Sequence, residues 1–285
     1  MKALFLILLA VGIFGTAAYF SYELFLRPQK QLAEEKLLPP PPTPPDPTLP
    51  DFNRCLEVQK TGDLLATRTA FAAFLENTPH SSKADEAKDR LGEINTDLFL
   101  STTPAPEKEL YVVKSGDVLT RVAAKLKTTP ELITRSNNLT GTMLRIGQKL
   151  MVTPPDFAVA INKKAKRVTL LNQGKFFKHY PIRSLPNQPA ASAKSASTGA
   201  GKVTGKINDK IAWSAAGTRV IFSDKEYAGA SHWVVSLKGN TLYSQPEANS
   251  DVKTTVPTEG GIGMAPEHME ELAVLLSKGN PVTID

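Results

Sequence analysis

Residues 111–154 read YVVKSGDVLTRVAAKLKTTPELITRSNNLTGTMLRIGQKLMVTP, and the rest of the chain is best read outward from them. Tyr111, Val112 and Val113 suit a strand, and Ser115, Gly116 and Asp117 form a turn able to cap a helix. Leu119, Val122, Ala123 and Leu126 recur at helical spacing. Thr129 and Pro130 open a second helix, because proline's missing N–H costs nothing in a first turn. That helix carries Leu132 and Ile133, and Asn137, Asn138 and Leu139 stop it. Gln148 to Val152 closes the segment as a strand, so the order is βααβ.

Upstream, residues 51–100 are helical. Leu64, Leu65, Ala70, Phe71, Phe74 and Leu75 follow Gly62 and Asp63 at helical spacing, and Asn77, Thr78 and Pro79 end the run. Ser81 or Ser82 can cap a second helix through Ala87, Leu91, Ile94 and Leu98, and Phe52, Leu56 and Val58 suggest a short helix before both. The pattern resembles one tetratricopeptide-like helical hairpin. A single hairpin cannot bury a core alone, so it is expected to pack on a neighbour, self-associate or act as a stalk. Residues 101–109 read as a linker. Residues 28–50 read as a stiffer one, since eight prolines from Pro39 to Pro50 favour extended polyproline II.

Residues 3–22 contain no charge. As a helix they would be about 30 Å long, the thickness of a bilayer core. The run is longer than the apolar core of most cleaved signal peptides, and no cysteine directly follows it for lipid attachment. We expect residues 1–27 to form a signal anchor and transmembrane helix, with everything beyond outside the cytoplasmic membrane. The alternative is secretion after cleavage near Gly15, Thr16, Ala17 and Ala18. Arg27, Lys30 and Lys36 lie on the far side, so the positive-inside rule lends only weak support.

The net charge of +6 suits an anionic partner without choosing one. Scattered basic residues and the expected location argue against nucleic acid. One cysteine, Cys55, excludes an internal disulfide and cysteine-based zinc or iron–sulfur sites. It is expected to be a small buried apolar residue. No His, Asp and Glu grouping has metal-ligand spacing, and no cofactor is expected.

The 111–154 segment resembles the LysM domain. Tyr111, Val113, Gly116, Asp117 and Leu119 carry the likeness, with Asn137, Asn138 and Leu139 and the run from Ile146 to Leu150. The resemblance implies a βααβ module at residues 110–155 that binds N-acetylglucosamine-containing glycans, peptidoglycan above all. It places the sugar between Gly116, Asp117, Val118, Leu119 and Thr120 on one side and Asn138, Leu139, Leu144, Arg145, Ile146 and Gly147 on the other. Asp117 as a mere helix cap and Leu119 as core are the plainer readings of those two.

Residues 156–285 alternate as strands at 158–161, 167–171, 176–182, 220–222, 233–237 and 281–284. Residues 186–202 read as a loop and Met269 to Leu276 as an amphipathic helix. This mostly-β segment resembles the L,D-transpeptidase catalytic domain, whose active members cross-link peptidoglycan through a cysteine thioester. Members carry a His-Gly pair after a strand, then Ser-x-Gly-Cys-Ile-Arg, a helix and Gly-Thr-Pro-Val-x-Ile. Here the closing piece is Gly279, Asn280, Pro281, Val282, Thr283 and Ile284. Counting back, Gly261 takes the thiol position, Gly263 the arginine position and Tyr243 the histidine position. Glycine has no nucleophile, and a tyrosine of pKa near 10 is a poor base at neutral pH.

The whole is expected to be an α+β multidomain chain. It reads as a membrane-tethered peptidoglycan-binding envelope protein with an inactive L,D-transpeptidase-like domain. One alternative is an active transpeptidase or carboxypeptidase using an unusual nucleophile such as Ser244 or Ser236, with His232 on the same strand. Ser236 and His232 would lie about 13 Å apart. Another is an envelope scaffold that recruits a protein partner through residues 51–100.

Overall fold

The computed structural model describes residues 12, 14–27, 29, 46–186, 203–236, 240–247, 257 and 260–285. It divides into two compact units, Met1–Asp46 and Pro47–Asp285. In the first, residues 14–27 are helical, with a π-helical turn at Tyr22–Leu26 closed by an Arg27–Glu23 ion pair. No helix among the described residues is long and apolar enough to cross a membrane. Half of the 3–22 run that sequence assigned to a membrane span lies outside the described residues, as do most of the proline-rich linker and the 187–202 loop.

The second unit begins with three helices, α1 (Leu49–Lys60), α2 (Leu64–Asn77) and α3 (Ala84–Phe99). The Asp63 carboxylate accepts the Ala66 N–H and caps α2, which is why Gly62 and Asp63 mark its start. Neither Ser81 nor Ser82 caps α3; its N-cap is Lys83, which makes no side-chain cap bond. The Ser81 hydroxyl instead accepts the Lys83 N–H in the turn before the helix. Phe52, Phe71, Phe74, Leu91 and Leu98 form the helical core, with Cys55 among them. Of the three dispositions left open for the hairpin, the structure shows packing: α3 lies against the strand Lys175–Ser184.

The βααβ module follows as β1 (Glu109–Val112), α4 (Leu119–Lys125), α5 (Pro130–Ser136) and β2 (Lys149–Val152). Thr129 caps α5 by accepting the Leu132 N–H, and Pro130 occupies its first turn. Residues 101–108 are not a free linker: Glu107 pairs with Arg68 of α2, and the Lys108 ammonium donates to the Ser101 carbonyl.

The remaining chain forms β3 (Phe157–Asn162), β4 (Arg167–Asn172), β5 (Lys175–Ser184), β6 (Val203–Lys206), β7 (Asp209–Trp213), β8 (Arg219–Val220), β9 (Ser231–Val235), β10 (Thr241–Ser244), β11 (Gly261–Met264), helix α6 (Pro266–Leu275) and β12 (Pro281–Ile284). The strands join in one mixed sheet, ordered β6-β12-β3-β4-β5-β11-β10-β9-β7-β8. The 220–222 strand read from sequence is shorter and begins earlier, because Asp224 accepts the Ile221 N–H and turns the chain after Val220. One core joins Phe157, Val159, Leu170, Ile262 and Leu272 to Phe99 of α3 and Leu132 of α5. The helices, the βααβ module and the sheet are therefore parts of one packed body.

The contact of α3 with β5 depends on a missing side chain and a buried charge. A Cβ on Gly92 would fall 2.8 Å from Lys178 Cγ, so only glycine admits this approach without displacement. Lys178 pairs with Glu271 and Glu93, both at 3.0 Å. Glu271 also accepts from the Tyr180 hydroxyl at 2.6 Å and from Thr96 at 3.0 Å. A buried cation is tolerable when paired and hydrogen-bonded in this way.

Candidate functional site

The two loops that the sequence assigned to sugar are held side by side. β1 and β2 pair antiparallel with Tyr111 opposite Leu150. Beyond that ladder, Val113 N–H donates to Gln148 O at 2.9 Å and Gly147 N–H donates to Val113 O at 2.8 Å. Gly116 and Gly147 have φ of 82° and 79°, the left-handed region. A Cβ at either would meet nothing within 4 Å, so backbone freedom and not space explains glycine there.

Asp117 does not cap α4, whose N-cap is Val118 without a side-chain bond. Its carboxylate instead accepts the Lys114 N–H at 2.8 Å and the Tyr111 hydroxyl at 2.7 Å. Those two bonds, the backbone one first, hold its pKa below the ordinary value. Leu119 is 2% exposed and belongs to the module core, so it presents no side chain to a sugar. Val118 and Ile146 are the reverse, 48% and 74% exposed. Thr120, Asn138, Arg145 and both glycines are also exposed, while Leu139 and Leu144 are half-buried against the core. The surface thus offers backbone N–H and C=O groups beside solvent-facing aliphatic side chains, which suits an acetamido sugar.

Asn137, read from sequence as a helix stop and as part of the LysM likeness, holds the second loop in place. Its amide donates to Ile133 O and Met151 O, and its oxygen accepts the Met151 N–H. Its place before the left-handed Asn138 was the available signal.

In the sheet domain, β10 and β11 run parallel with Thr241 opposite Gly261 and Tyr243 opposite Gly263. The positions counted from the closing motif are therefore adjacent in space. They do not face each other across open space. A Cβ on Gly261 would lie 2.7 Å from the Thr241 carbonyl oxygen and 2.9 Å from Tyr243 Cδ1. A Cβ on Gly263 would overlap Gln245 Oε1 and Ser184 Oγ. The Ser184 hydroxyl donates to Gln245 Oε1 at 2.5 Å and lies 3.4 Å from the Tyr243 hydroxyl. Ser184 and Gln245 had no motif to mark them.

The hydroxyls considered as substitute nucleophiles are otherwise engaged. Ser244 is buried, accepting the His232 N–H at 3.0 Å and donating to the His232 carbonyl at 3.3 Å. It meets that residue's backbone and forms no bond to the imidazole. Ser236 donates to Asn240 O. The His232 pKa is pushed down to about 4, first by burial and then by Lys210. Cys55 donates to Ala70 O at 3.4 Å, and burial raises its pKa, the opposite of a reactive thiolate. His179 pairs with Thr169, and burial lowers its pKa to about 4. His268 Nδ1 is buried without a partner among the described residues. No three metal-ligating side chains cluster among the described residues.

Residues 111–153 match the LysM domain family. The structure is also similar to L,D-transpeptidases. The one from Mycobacterium smegmatis is 17% identical with a TM-score of 0.29, over 50% of this chain and 64% of that one. The one from Stackebrandtia nassauensis is 16% identical with a TM-score of 0.29, over 46% of this chain and 55% of that one. The ertapenem-acylated catalytic domain from E. faecium is 18% identical with a TM-score of 0.27, over 46% of this chain and 98% of that one. The chain thus spans less than two thirds of the first two proteins, and the likeness is distant.

Proposed function

We propose that this protein binds peptidoglycan through its LysM module and does not cross-link it. The observation that carries the binding half is the Gly147–Val113 bond, which sets the two sugar loops together with Val118 and Ile146 turned to solvent. The second half is supported by Gly261, where a nucleophile's Cβ would collide with a backbone carbonyl. Acyl transfer through a thioester needs a thiolate and a base beside it. The single thiol sits in the helical core, and the imidazole of His232 has no nucleophile bonded to it. The charge-free run at residues 3–22 supports tethering in the cytoplasmic membrane, with the folded unit in the envelope outside it.

Titration of the full chain with N-acetylglucosamine oligomers tests the binding half. Saturable binding that is lost in Ile146→Asp supports the reading. Absence of binding by the folded wild-type protein refutes it.

A further inference from the structure

The LysM module is fixed to the sheet domain. Leu132 enters the sheet core, and Phe222 of the sheet domain packs against the module core. Lys210 lies 3.9 Å from Glu131 and donates to Ala273 O at 2.7 Å, while Arg135 pairs with Glu270 at 3.2 Å. Two cavities lie along this seam. The outer one, of about 460 Å³, has Asn138 and Leu139 on the module side and Phe222, Lys225 and Tyr227 on the sheet side. The inner one, of about 260 Å³, shares Glu131, Phe222 and Tyr227 with the outer one and is also lined by Lys210 and His232.

His232 is 1% exposed, and its Nε2 has no hydrogen-bond partner among the described residues. Nε2 is thus a buried ring nitrogen without a partner, an arrangement that proteins rarely leave unfilled. In the outer cavity the Thr134 hydroxyl is likewise buried and unpartnered. Leu139, Phe222 and Val274 supply apolar wall, and Lys225 supplies an exposed cation beside Asp224, Glu131 and the Arg135–Glu270 pair. An unpartnered ring nitrogen inside, aliphatic and aromatic wall between and charges of both signs outside match a short peptide with backbone polar groups, small side chains and charged ends.

We infer that this seam receives the peptide branch of the same peptidoglycan strand whose sugars lie on the LysM loops, with His232 Nε2 hydrogen-bonded to its backbone. The inference rests on the proposed glycan reading and adds the second half of the ligand. Asn138 and Leu139 link the halves, since they belong to the sugar loop and to the wall of the outer cavity. The peptide is thereby placed away from Gly261.

The full chain is titrated with tetra-N-acetylglucosamine and with muropeptide oligomers of the same sugar length that carry peptide branches. The branched ligand is expected to bind about tenfold tighter, the worth of one hydrogen bond and one ion pair. Lys225→Glu and His232→Phe should each reduce that preference and leave binding of the bare oligosaccharide unchanged, which also reports that the variants are folded. Equal affinity for the two ligands, or a preference that survives both substitutions, overturns the inference. Failure of the wild type to bind the bare oligosaccharide refutes the glycan reading itself. Should His232→Phe not fold, Lys225→Glu decides alone.

Discussion

Gly261 stands opposite Thr241 in the parallel pair of β10 and β11, and a Cβ there would come within 2.7 Å of the Thr241 carbonyl oxygen. Real Cβ atoms do not approach a backbone oxygen so closely, and the obstacle is main chain in the middle of a sheet. The double change Gly261→Cys with Tyr243→His is therefore expected to restore no chemistry. Its cost should be at least ~1–3 kcal/mol of stability, as overpacking a core does. Mass spectrometry after incubation with a carbapenem or a tetrapeptide donor should show no acyl adduct on either the wild type or the variant. An adduct on the wild type, abolished by Ser244→Ala, would establish the enzyme reading instead.

The binding loops separate packing from contact. Leu119→Ala should lower stability by about 2–5 kcal/mol, because it empties a buried core position. Ile146→Asp changes an exposed side chain and should leave the thermal midpoint within a degree or so, since surface changes stay within about 0.5 kcal/mol. It should nonetheless weaken glycan binding strongly. Calorimetric melting beside ligand titration separates the two effects.

Asn137 bonds back to Ile133 of α5 once and across to Met151 of β2 twice. Asn137→Ala should cost about 2–3 kcal/mol by taking from the Met151 N–H its side-chain acceptor and from the Met151 carbonyl its amide donor. It should also loosen the second sugar loop, which hydrogen–deuterium exchange of the Gly147 and Val113 amides would report as faster exchange.

Gly92→Ala tests the close approach of α3 to β5. Helix propensity alone favours alanine by up to about 1 kcal/mol. The 2.8 Å contact with Lys178 Cγ predicts the opposite sign, a loss of roughly 1–3 kcal/mol. Urea unfolding midpoints decide between them.

His232 gives a pH dependence whose sign is fixed. Its folded pKa is pushed down to about 4 from an ordinary 6.5. Above 6.5 both folded and unfolded chains hold it neutral, and its full stability is present. As pH falls from 6.5 towards 4, the unfolded chain takes up a proton that the folded one refuses, and stability is lost. On the order of 2 kcal/mol should disappear across that window. The variant His232→Phe should show a shallower decline than the wild type in chemical denaturation between pH 7 and 4.

The parts that sequence reading reached share a cause. Short-range signals such as Asp63 before α2, Thr129 with Pro130, and the spacing of Leu119, Val122 and Ala123 act within a turn or two of chain, so their outcome is written locally. That Tyr243 and Gly261 lie near each other was also within reach, because counting back from the closing Gly279 to Ile284 segment singled out both. What fills the space beside Gly263 was not legible, since Ser184 of β5 and Gln245 after β10 meet there from distant parts of the chain. The partners of the Asp117 carboxylate were not legible, because a turn acid before a helix can serve either the helix or the loop, and Tyr111 and Lys114 hold it for the loop. The seam with His232 joins α5 and α6 to β7 and β9, a long-range meeting that no local pattern announces.

The most direct measurement of the central claim is co-sedimentation of the full-length protein with purified insoluble peptidoglycan sacculi at moderate salt, wild type beside Ile146→Asp. The account predicts that the wild type pellets with the sacculi and the variant, equally folded, stays in solution. Wild-type protein left in the supernatant, or a variant that pellets as fully as the wild type, would contradict it.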